Sequence, residues 1–417
     1  MIGSYLKMAF KVLVRRKFFT AISLFGIGFT LMILTLGAGL LDVAVAPGEP
    51  EVHLDRTLFF SNAIMTGSGE NHSQWWSAPG YRLLDHYMRD LPGVELYSIS
   101  SEPIEVASFI DGRKLELQAR FVDAPFWRIH QFSFLEGGPF TAEDERDGNL
   151  VAVISATARA KYFGKQPALD HVVEFNQLRY RVVGVVEDVP IHRLGAYAQI
   201  LVPLSTFPNR DLMENLMGGF VAILLAHSRA DFPRIREEFQ ARLKQVEFPQ
   251  PERYSNLYGR LTTRWEERLS GIGDVGGDGE LKIHHELPKL LAVAAAFLLL
   301  PLINLISINM SRIFERASEI GVRKAFGASS LHLVGQFIVE NVVLCMAGGV
   351  LALLGAYACQ TIINTTDIVP MAGFGFNWRV FLYALLLSGF FGVLSGAYPA
   401  WRMSRIHPVA ALRGGVR

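Results

Sequence analysis

Four long apolar stretches, separated by polar ones, are the main feature of the hydrophobic pattern. Phe18–Leu41, Leu290–Met310 and Val380–Tyr398 contain no charged side chain, and Leu331–Thr366 contains a single one, Glu340. Each stretch reaches or nearly reaches the roughly 20 residues that a helix needs to cross about 30 Å of hydrocarbon. The pattern therefore predicts four membrane-spanning helices.

The segment between the first two apolar stretches, residues 42–287, has shorter apolar runs of strand length. The alternation over Glu105–Val122, interrupted by Asp111-Gly112, is typical of a β-hairpin. Further strands are predicted at Val151–Ile154, Tyr180–Val186 and Phe220–Ala226, and helices at Ser77–Asp90, Ala156–Phe163 and Asp231–Val246, the last with Asp231 as N-cap. This mixture indicates an α+β domain of two subdomains, long enough to bury its own core.

The charge distribution separates two environments and gives the orientation. Residues 42–287 hold 25 lysines and arginines against 35 aspartates and glutamates, whereas the rest of the chain holds 15 against 4. With 19% charged residues, the chain is not wholly embedded in a membrane. Of the 15 basic residues outside 42–287, 13 precede the first span, follow the second or follow the fourth. The positive-inside rule therefore places both termini in the cytoplasm and the acidic domain outside.

The sequence thus predicts a four-span α-helical membrane protein with a large α+β periplasmic domain inserted between spans one and two. Phe18–Leu41 exceeds the 7–15 residues of a signal-peptide core, so it is expected to remain as an anchor. The predicted segments, in chain order, are a cytoplasmic N-terminal amphipathic segment 1–17, span one 18–41, the periplasmic domain 42–287, span two 288–310, a cytoplasmic charged helix 311–330, span three 331–362, a short periplasmic loop 363–378, span four 379–399 and a cytoplasmic tail 400–417.

The charged helix 311–330 carries both signs of charge. Its charged residues recur at spacings of three, four and seven: Glu315, Arg316, Glu319, Arg323 and Lys324. On a helix these spacings form one face, which could bind another protein at the membrane surface. The spacing alone leaves a second interpretation open, a solvated loop whose arginines serve only to set the topology.

Motifs for catalysis and cofactor binding are weak. Gly271–Gly276 matches GxGxxG but neither follows a strand nor opens a helix, so Gly271–Gly279 is expected to be a flexible linker. The 417 residues contain no GxxxxGK[ST] motif for binding ATP. Cys345 and Cys359 are separated by 14 residues of predicted helix, about 21 Å, and so cannot form a disulfide. The chain is expected to be no enzyme, to hold no metal or cofactor and to bind no nucleic acid.

Several motifs resemble the permeases of MacB/FtsX-type ABC transporters. ERASEIGVRKAFGAS follows the second span, FIVE lies in the third, and LSGAYPAWRMSRIHPVAALR follows the fourth. FLEGGPFTAEDERDGNLVAVISATARAKYFG and YRVVGVVEDVP are similar to the MacB-like periplasmic core. The resemblance covers most of the chain, and the motif between spans two and three is the most specific.

The resemblance implies a permease subunit that pairs with a second permease copy, identical or paralogous, and with a separate ABC ATPase that binds ATP and magnesium. Helix 311–330 would be the coupling helix, with Arg323 and Lys324 pairing to acidic groups of the ATPase and Glu315 and Glu319 fixing its tilt. Glu340 is expected to reach the cytoplasmic interface or to pair within the helix bundle. The expected location is the bacterial inner membrane, in contact with lipid.

Two functions are compatible with this family. The permease could convert ATP hydrolysis into motion of the periplasmic domain and drive export or efflux, with a periplasmic adaptor and an outer-membrane channel as further partners. Alternatively, it could be an FtsX-like signalling subunit that activates a periplasmic cell-wall hydrolase or sensor. The large periplasmic domain favours transport. These 417 residues contain no ATPase domain like the one fused in MacB, so a separate ATPase subunit is expected. The sequence identifies neither the substrate nor the type of dimer, and it leaves lipoprotein release open as a further function.

Overall fold

The computed structural model divides the chain into two units. The first, here called the helical unit, comprises residues 1–42, 287–369 and 374–417, and the second, the sheet unit, comprises residues 43–286 and 370–373. The residues that the structure describes are 17–67, 74–110, 113–269, 329–366 and 378–404, with shorter pieces between residues 274 and 326.

Helices occur in both units. Besides short helical pieces between residues 288 and 322, the α-helices of the described residues are, in chain order, α1 (Lys17–Val45), α2 (Pro125–Ile129), α3 (Ala142–Asp147), α4 (Ala156–Phe163), α5 (Arg210–Met213), α6 (Phe232–Leu243), α7 (Arg264–Leu269), α8 (Ser330–Thr366) and α9 (Trp378–Ser404). Shorter helical turns, of the 3-10 or π type, lie at Leu54–Arg56, Leu83–Tyr87, Leu204–Thr206 and Arg229–Asp231.

All strands of the described residues belong to the sheet unit. They are β1 (Thr57–Phe60), β2 (Ala63–Thr66), β3 (Gln74–Pro79), β4 (Val94–Ser101), β5 (Ile104–Ile110), β6 (Arg113–Val122), β7 (Phe134–Gly137), β8 (Val151–Ser155), β9 (Val172–Phe175), β10 (Leu178–Val186), β11 (Ile200–Pro203), β12 (Met217–Gly218), β13 (Phe220–Ala226), β14 (Asn256–Gly259), β15 (Asp274–Val275) and β16 (Leu281–Lys282).

Among its described residues, the helical unit contains three stretches that are long and apolar enough to cross a membrane: Thr20–Gly39 in α1, Val334–Ile363 in α8 and Arg379–Ala397 in α9. They correspond to the first, third and fourth predicted spans. In the second predicted span, 288–310, the described residues are helical and the others lie outside the described residues. The count of four spans therefore stays a prediction.

Close packing of small residues joins the three helices. Ile27 of α1 packs with Leu344 of α8 and Phe391 of α9 in one apolar cluster. A methyl group added at Gly348 of α8 would lie 2.8 Å from Cγ2 of Ile27, and one added at Gly392 of α9 would lie 2.6 Å from the backbone of Val342. Membrane helices commonly associate through such small residues, because the backbones can then approach closely.

A mixed ten-stranded sheet organises the sheet unit. Its order is β1-β13-β4-β6-β11-β8-β10-β7, with β5 paired to β6 and β9 paired to β10. The β11–β6 and β10–β8 pairs are parallel and the other pairs antiparallel. A second antiparallel sheet has the order β12-β3-β2-β14. This architecture confirms the predicted α+β fold.

The large sheet is covered on both faces. In β8, Ala152 and Ile154 point into the larger apolar core, whereas Val151 and Val153 point into a second core on the other side. Successive side chains of a strand alternate between faces, so a strand with no polar side chain until its end must be buried on both. The continuous apolar run Val151–Ile154 in the sequence therefore reflects a strand that is buried on both faces.

Several elements predicted from the sequence are confirmed. The hairpin over Glu105–Val122 is formed by β5 and β6, with Ile104 opposite Ala119 and Ile110 opposite Arg113. Its turn, Asp111-Gly112, lies outside the described residues. The strands β8, β10 and β13 and the helix α4, which ends at Gly164 with a positive φ of 61°, also lie where they were predicted.

Other predictions were wrong in part. The helix predicted over Ser77–Asp90 begins too early, because Gln74–Pro79 forms strand β3 and only the residues after it are helical. The side chain of Asp231 does not cap α6; its carboxylate accepts hydrogen bonds from the amide and hydroxyl of Ser228 in the preceding turn. The predicted linker Gly271–Gly279 contains strand β15, which pairs with β16 just after the linker, and the other linker residues lie outside the described ones.

A buried carboxyl group ties the end of β6 to β4. Asp123 accepts a hydrogen bond of 2.5 Å from the Ser98 hydroxyl and one of 2.7 Å from the Ile99 amide. Burial raises the pKa of Asp123 to about 7, although these two hydrogen bonds act in the opposite direction. The group therefore binds a proton more readily in the folded sheet unit than in an unfolded chain.

We expect a fragment of residues 43–286 to fold cooperatively, because its cores are formed by its own residues. Phe239 of α6 is fully buried, and its ring lies 4.8 Å from that of Phe60 in an edge-on contact. Phe239→Ala should lower the free energy of unfolding by about 3–5 kcal/mol through lost burial and a cavity. Urea unfolding of the fragment measures this loss, and Leu212→Ala, at an exposed position of α5, is the control. Non-cooperative unfolding of the unmodified fragment would contradict the prediction.

The stability of the same fragment should depend on pH through Asp123. The pKa of Asp123 in the folded fragment lies above the unfolded value of 3.8. The protonated carboxyl group therefore stabilises the fold below about pH 4, and this contribution is lost as the pH rises toward 7. In Asp123→Asn the amide oxygen can still accept from Ile99, and the Ser98 hydroxyl can accept from the new NH₂ group. Urea unfolding at several pH values should show the unmodified fragment losing stability relative to this variant as the pH rises. Parallel pH profiles would contradict the assignment.

Candidate functional site

The predicted coupling residues Glu315, Arg316, Glu319, Arg323 and Lys324 all lie outside the described residues. Their proposed role therefore stays a prediction. Glu340, in contrast, is described: it is buried within α8, and its carboxylate accepts a hydrogen bond of 3.1 Å from the Gln336 side chain one helical turn earlier. Pairing within the helical unit was one of its two expected arrangements.

A cluster of buried charged groups stands out in the sheet unit. Its centre is Glu51, whose side chain is 1% exposed, and it also contains Arg120, Arg193 and Arg264 together with the backbone of Gly195; this set is called the Glu51 cluster below. Buried charges are rare unless they are paired, so each charged group in this cluster is expected to have a polar partner.

The carboxylate of Glu51 holds three groups. One oxygen, Oε1, accepts hydrogen bonds of 3.1 Å from Arg264 and of 3.1 Å from the Gly195 amide. The other, Oε2, lies 3.8 Å from the guanidinium of Arg193. Arg264 also donates to Glu267 at 2.5 Å, and its guanidinium lies 3.8 Å from the centre of the Phe59 ring. Arg264 is thus held by two carboxylates and an aromatic face.

Arg120 brings a strand of the large sheet into the cluster. This residue of β6 is buried and donates to the carbonyl oxygens of Gly195 at 2.5 Å and Leu194 at 2.6 Å. Burial and the nearby charge of Arg264 lower the pKa of Arg120 to about 10, against the opposing effect of Glu51. The guanidinium is therefore still charged at neutral pH, and its hydrogen bonds go to carbonyl oxygens and not to a carboxylate.

Next to the cluster, His130 is buried beside the Phe126 ring, with ring centres 4.3 Å apart. Burial lowers the pKa of His130 to about 4, and the positive charges of Arg120 and Arg264 act in the same direction. The imidazole is therefore neutral at pH 7 and adds no further positive charge. The local balance of charge therefore depends on three guanidinium groups and on the carboxylates of Glu51 and Glu267.

The position of Gly195 admits no side chain. A methyl group there would lie 2.4 Å from the Arg264 guanidinium and 2.4 Å from the Glu51 carboxylate. The glycine lets the loop backbone approach both charged groups, which is why its amide and its carbonyl can both serve as partners in the cluster.

The cluster joins segments that are distant in sequence. The Arg193 guanidinium donates at 2.6 Å to the carbonyl of Ala46, the residue immediately after α1. Two further bonds fix the same segment: the Gln131 amide donates to Pro50 at 2.9 Å, and the Ser133 hydroxyl donates to Glu49 at 2.5 Å. The chain entering the sheet unit is therefore attached to the rest of that unit at several points.

The returning segment is attached at the same place. Arg264 begins α7, and Thr262 just before it exchanges backbone hydrogen bonds of 2.8 and 2.9 Å with Phe59. Sequence reasoning did not find this cluster, because Glu51 and Arg264 are 213 positions apart and neither belongs to a charge pattern. The close approach of the Gly195 backbone to Glu51 and Arg264 is likewise visible only in the folded structure.

We expect Glu51→Gln to lower the free energy of unfolding of the sheet unit by about 3–5 kcal/mol, because it leaves buried guanidinium groups without their carboxylate. The matched control is Glu95→Gln, whose carboxylate is 38% exposed and pairs with Arg56 at 2.5 Å. An exposed pair contributes less than about 1 kcal/mol. Pulse proteolysis of the full chain in urea measures both variants. Equal losses would contradict a special role for Glu51.

Known protein families match both units. Residues 20–242 match the MacB-like periplasmic core domain, and residues 291–408 match the FtsX-like permease C-terminal region. The periplasmic region of MacB from Actinobacillus actinomycetemcomitans has a crystal structure that overlaps this chain with a TM-score of 0.36 at 14% identity, over 51% of this chain and 91% of that one.

Two relatives illustrate the match. The macrolide export ATP-binding/permease protein MacB of Bdellovibrio bacteriovorus is 26% identical over 289 residues, 66% of this chain and 40% of that protein. The uncharacterized ABC transporter permease YknZ of Bacillus subtilis is 25% identical over 290 residues, 69% of this chain and 68% of that protein. The chain thus spans less than half the length of the MacB relative. Because the periplasmic-core model alone matches more than half of the chain, the chain belongs to the MacB/FtsX-type family of ABC transporter permeases.

Proposed function

We propose that this chain is a permease subunit that converts ATP hydrolysis on a separate ABC ATPase into motion of its sheet unit, and that this motion drives export of a substrate from the periplasm or the outer leaflet. The sheet unit would lie in the periplasm and both termini in the cytoplasm, in the bacterial inner membrane. The acidic balance of residues 42–287 and the basic flanks of the apolar stretches support this orientation.

One observation carries the proposal: the Ala46 carbonyl, directly after α1, is held by Arg193, and Arg193 faces Glu51. A flexible linker would absorb a displacement of the preceding helix, because its end-to-end distance fluctuates freely. Here the segment is fixed by polar contacts of Ala46, Glu49 and Pro50, within a few residues of the helix end. A displacement of α1 would therefore be passed to the large sheet through Arg193 and Arg120.

At the cytoplasmic side, docking on the ATPase would involve five charged residues whose spacing suits one helix face: Glu315, Arg316, Glu319, Arg323 and Lys324. A second permease copy, identical or paralogous, completes the transporter, and a periplasmic adaptor with an outer-membrane channel is the proposed route for the substrate. This family relation and the tie at Ala46 together favour export driven by the moving sheet unit.

The test separates docking from transmission. Affinity purification of the full chain in mild detergent first identifies the ATPase. A variant with Glu319→Lys, Arg323→Glu and Lys324→Glu should lose ATPase co-purification, because like charges then meet at the docking surface. Arg193→Met should keep co-purification, since Arg193 lies in the sheet unit. Hydrogen exchange of the complex, with and without ATP and vanadate, then reports whether residues 187–199 respond to nucleotide.

The expected result is a nucleotide-dependent change in the unmodified complex that Arg193→Met weakens while the ATPase stays bound, because the bonds at Glu49 and Pro50 remain. Arg179→Met is the control, because this arginine of β10 is largely exposed and outside the Glu51 cluster. If Arg193→Met retains the full response, transmission does not pass through Ala46. If the triple charge reversal still binds the ATPase, docking belongs to another segment.

A further inference from the structure

A cavity of about 520 Å³ opens on the small four-stranded sheet, away from the residues of the Glu51 cluster. Three elements surround it: the paired strands β2 and β3, the segment leading into β12, and the loop before β14. Cavities of about 300–1,000 Å³ with apolar walls and a few polar groups commonly bind small molecules. Neither the Glu51 cluster nor the proposed transmission path uses this cavity.

The floor of the cavity is apolar and firmly packed. Met65 of β2, Met217 of β12 and Leu216, which precedes β12, line it, and all three are buried members of the larger apolar core of the sheet unit. In the backbone, Met65 lies opposite Trp75 of β3 on one side and opposite Leu257 of β14 on the other. The floor is therefore preformed, and its two methionines can adapt to the shape of a ligand.

One wall of the cavity is aromatic. Trp75 is 43% exposed although it is a large apolar residue, and its ring centre lies 6.1 Å from that of Tyr254. Phe248 lines the same cavity from the loop before β14. Trp75 is exposed, whereas Phe248 and Tyr254 are half-buried against the core. Aromatic side chains that converge on an apolar floor in this way are suited to bind a flat apolar body.

A single cation completes the lining. Arg253 is exposed, and its guanidinium lies 5.3 Å from the centre of the Tyr254 ring. The backbone of Arg253 lies in a turn in which the amides of Arg253 and Tyr254 both donate to the carbonyl of Gln250 at 3.0 Å. Among the residues that the structure describes, Arg253 has no ion pair, and no acidic side chain lines the cavity.

We infer that this cavity binds a small amphipathic organic anion, with its apolar body on the Met65–Met217 floor against Trp75 and its carboxylate at Arg253. A planar guanidinium binds a carboxylate through two parallel hydrogen bonds, which is stronger and more directional than a neutral contact. A cation with the same apolar body would place a like charge beside Arg253. The inference is independent of the proposed function, because binding at this cavity requires neither an ATPase nor nucleotide.

The probes are 1-pyrenebutyrate, an anion, and 1-pyrenebutanol, its neutral counterpart with the same flat body. Equilibrium dialysis against the full chain in amphipol, with amphipol alone as the blank, measures the affinity of each. We expect saturable binding of pyrenebutyrate at one site, about tenfold tighter than pyrenebutanol. A tenfold ratio corresponds to about 1.4 kcal/mol.

Two substitutions divide the contributions of charge and apolar contact. Arg253→Gln should weaken pyrenebutyrate binding about tenfold and leave pyrenebutanol unchanged, and Arg234→Gln, at an exposed position of α6, is its control. Trp75→Ala should weaken both probes. Trp76→Ala is the matched control, because this neighbour is 39% exposed but points to the opposite face of β3 and does not line the cavity.

Specific outcomes would overturn the inference. Equal affinity of the unmodified chain for the two probes would remove the role of the carboxylate, as would unchanged pyrenebutyrate binding in Arg253→Gln. Binding that never saturates above the amphipol blank would show that the cavity holds no ligand of this class. Equal effects of Trp75→Ala and Trp76→Ala would place the probe outside the cavity.

Discussion

The buried carboxylate of Glu51 is the constraint on which the arrangement of the sheet unit depends. One negative charge, inaccessible to water, must be compensated by groups from the loop at Arg193–Gly195 and from α7. Desolvating these groups is costly, and the cost is offset only when every partner is in place. The segment after α1, the start of α7 and the end of β6 therefore hold one another in position. If one of them moved far, a buried charge would lose its partner.

The large sheet gives this charged centre a stiff frame. β8 is buried on both faces, and Arg120 extends from β6 of the same sheet to the loop carbonyls beside Gly195. Close-packed interiors change arrangement in discrete steps rather than by continuous deformation. The sheet and the cluster together therefore favour movement of the sheet unit as one body, which is the property that the proposed mechanism requires.

Sequence reasoning was most successful where one local pattern decides the structure. The alternation in Glu105–Val122 and the apolar run of β8 predicted their strands correctly, since burial of side chains at fixed spacing determines both. The helix expected over Ser77–Asp90 failed because pairing of β3 with β2 overrides the local preference. The Glu51 cluster could not be predicted, because its members meet only after the chain has folded, and single charged residues leave no periodic signal.

The glycine contacts of the helical unit restrict how its described helices can move. Gly348 meets Ile27 of α1 and Gly392 meets the backbone of Val342, at distances that leave no room for even one methyl group. At these two points a slide of α8 along α1 or α9 would bring a larger side chain to the position of a glycine, so α8 would first have to separate from its neighbour. These three helices are therefore interlocked, and a conformational cycle would have to tilt them as a group instead of turning each about its own axis.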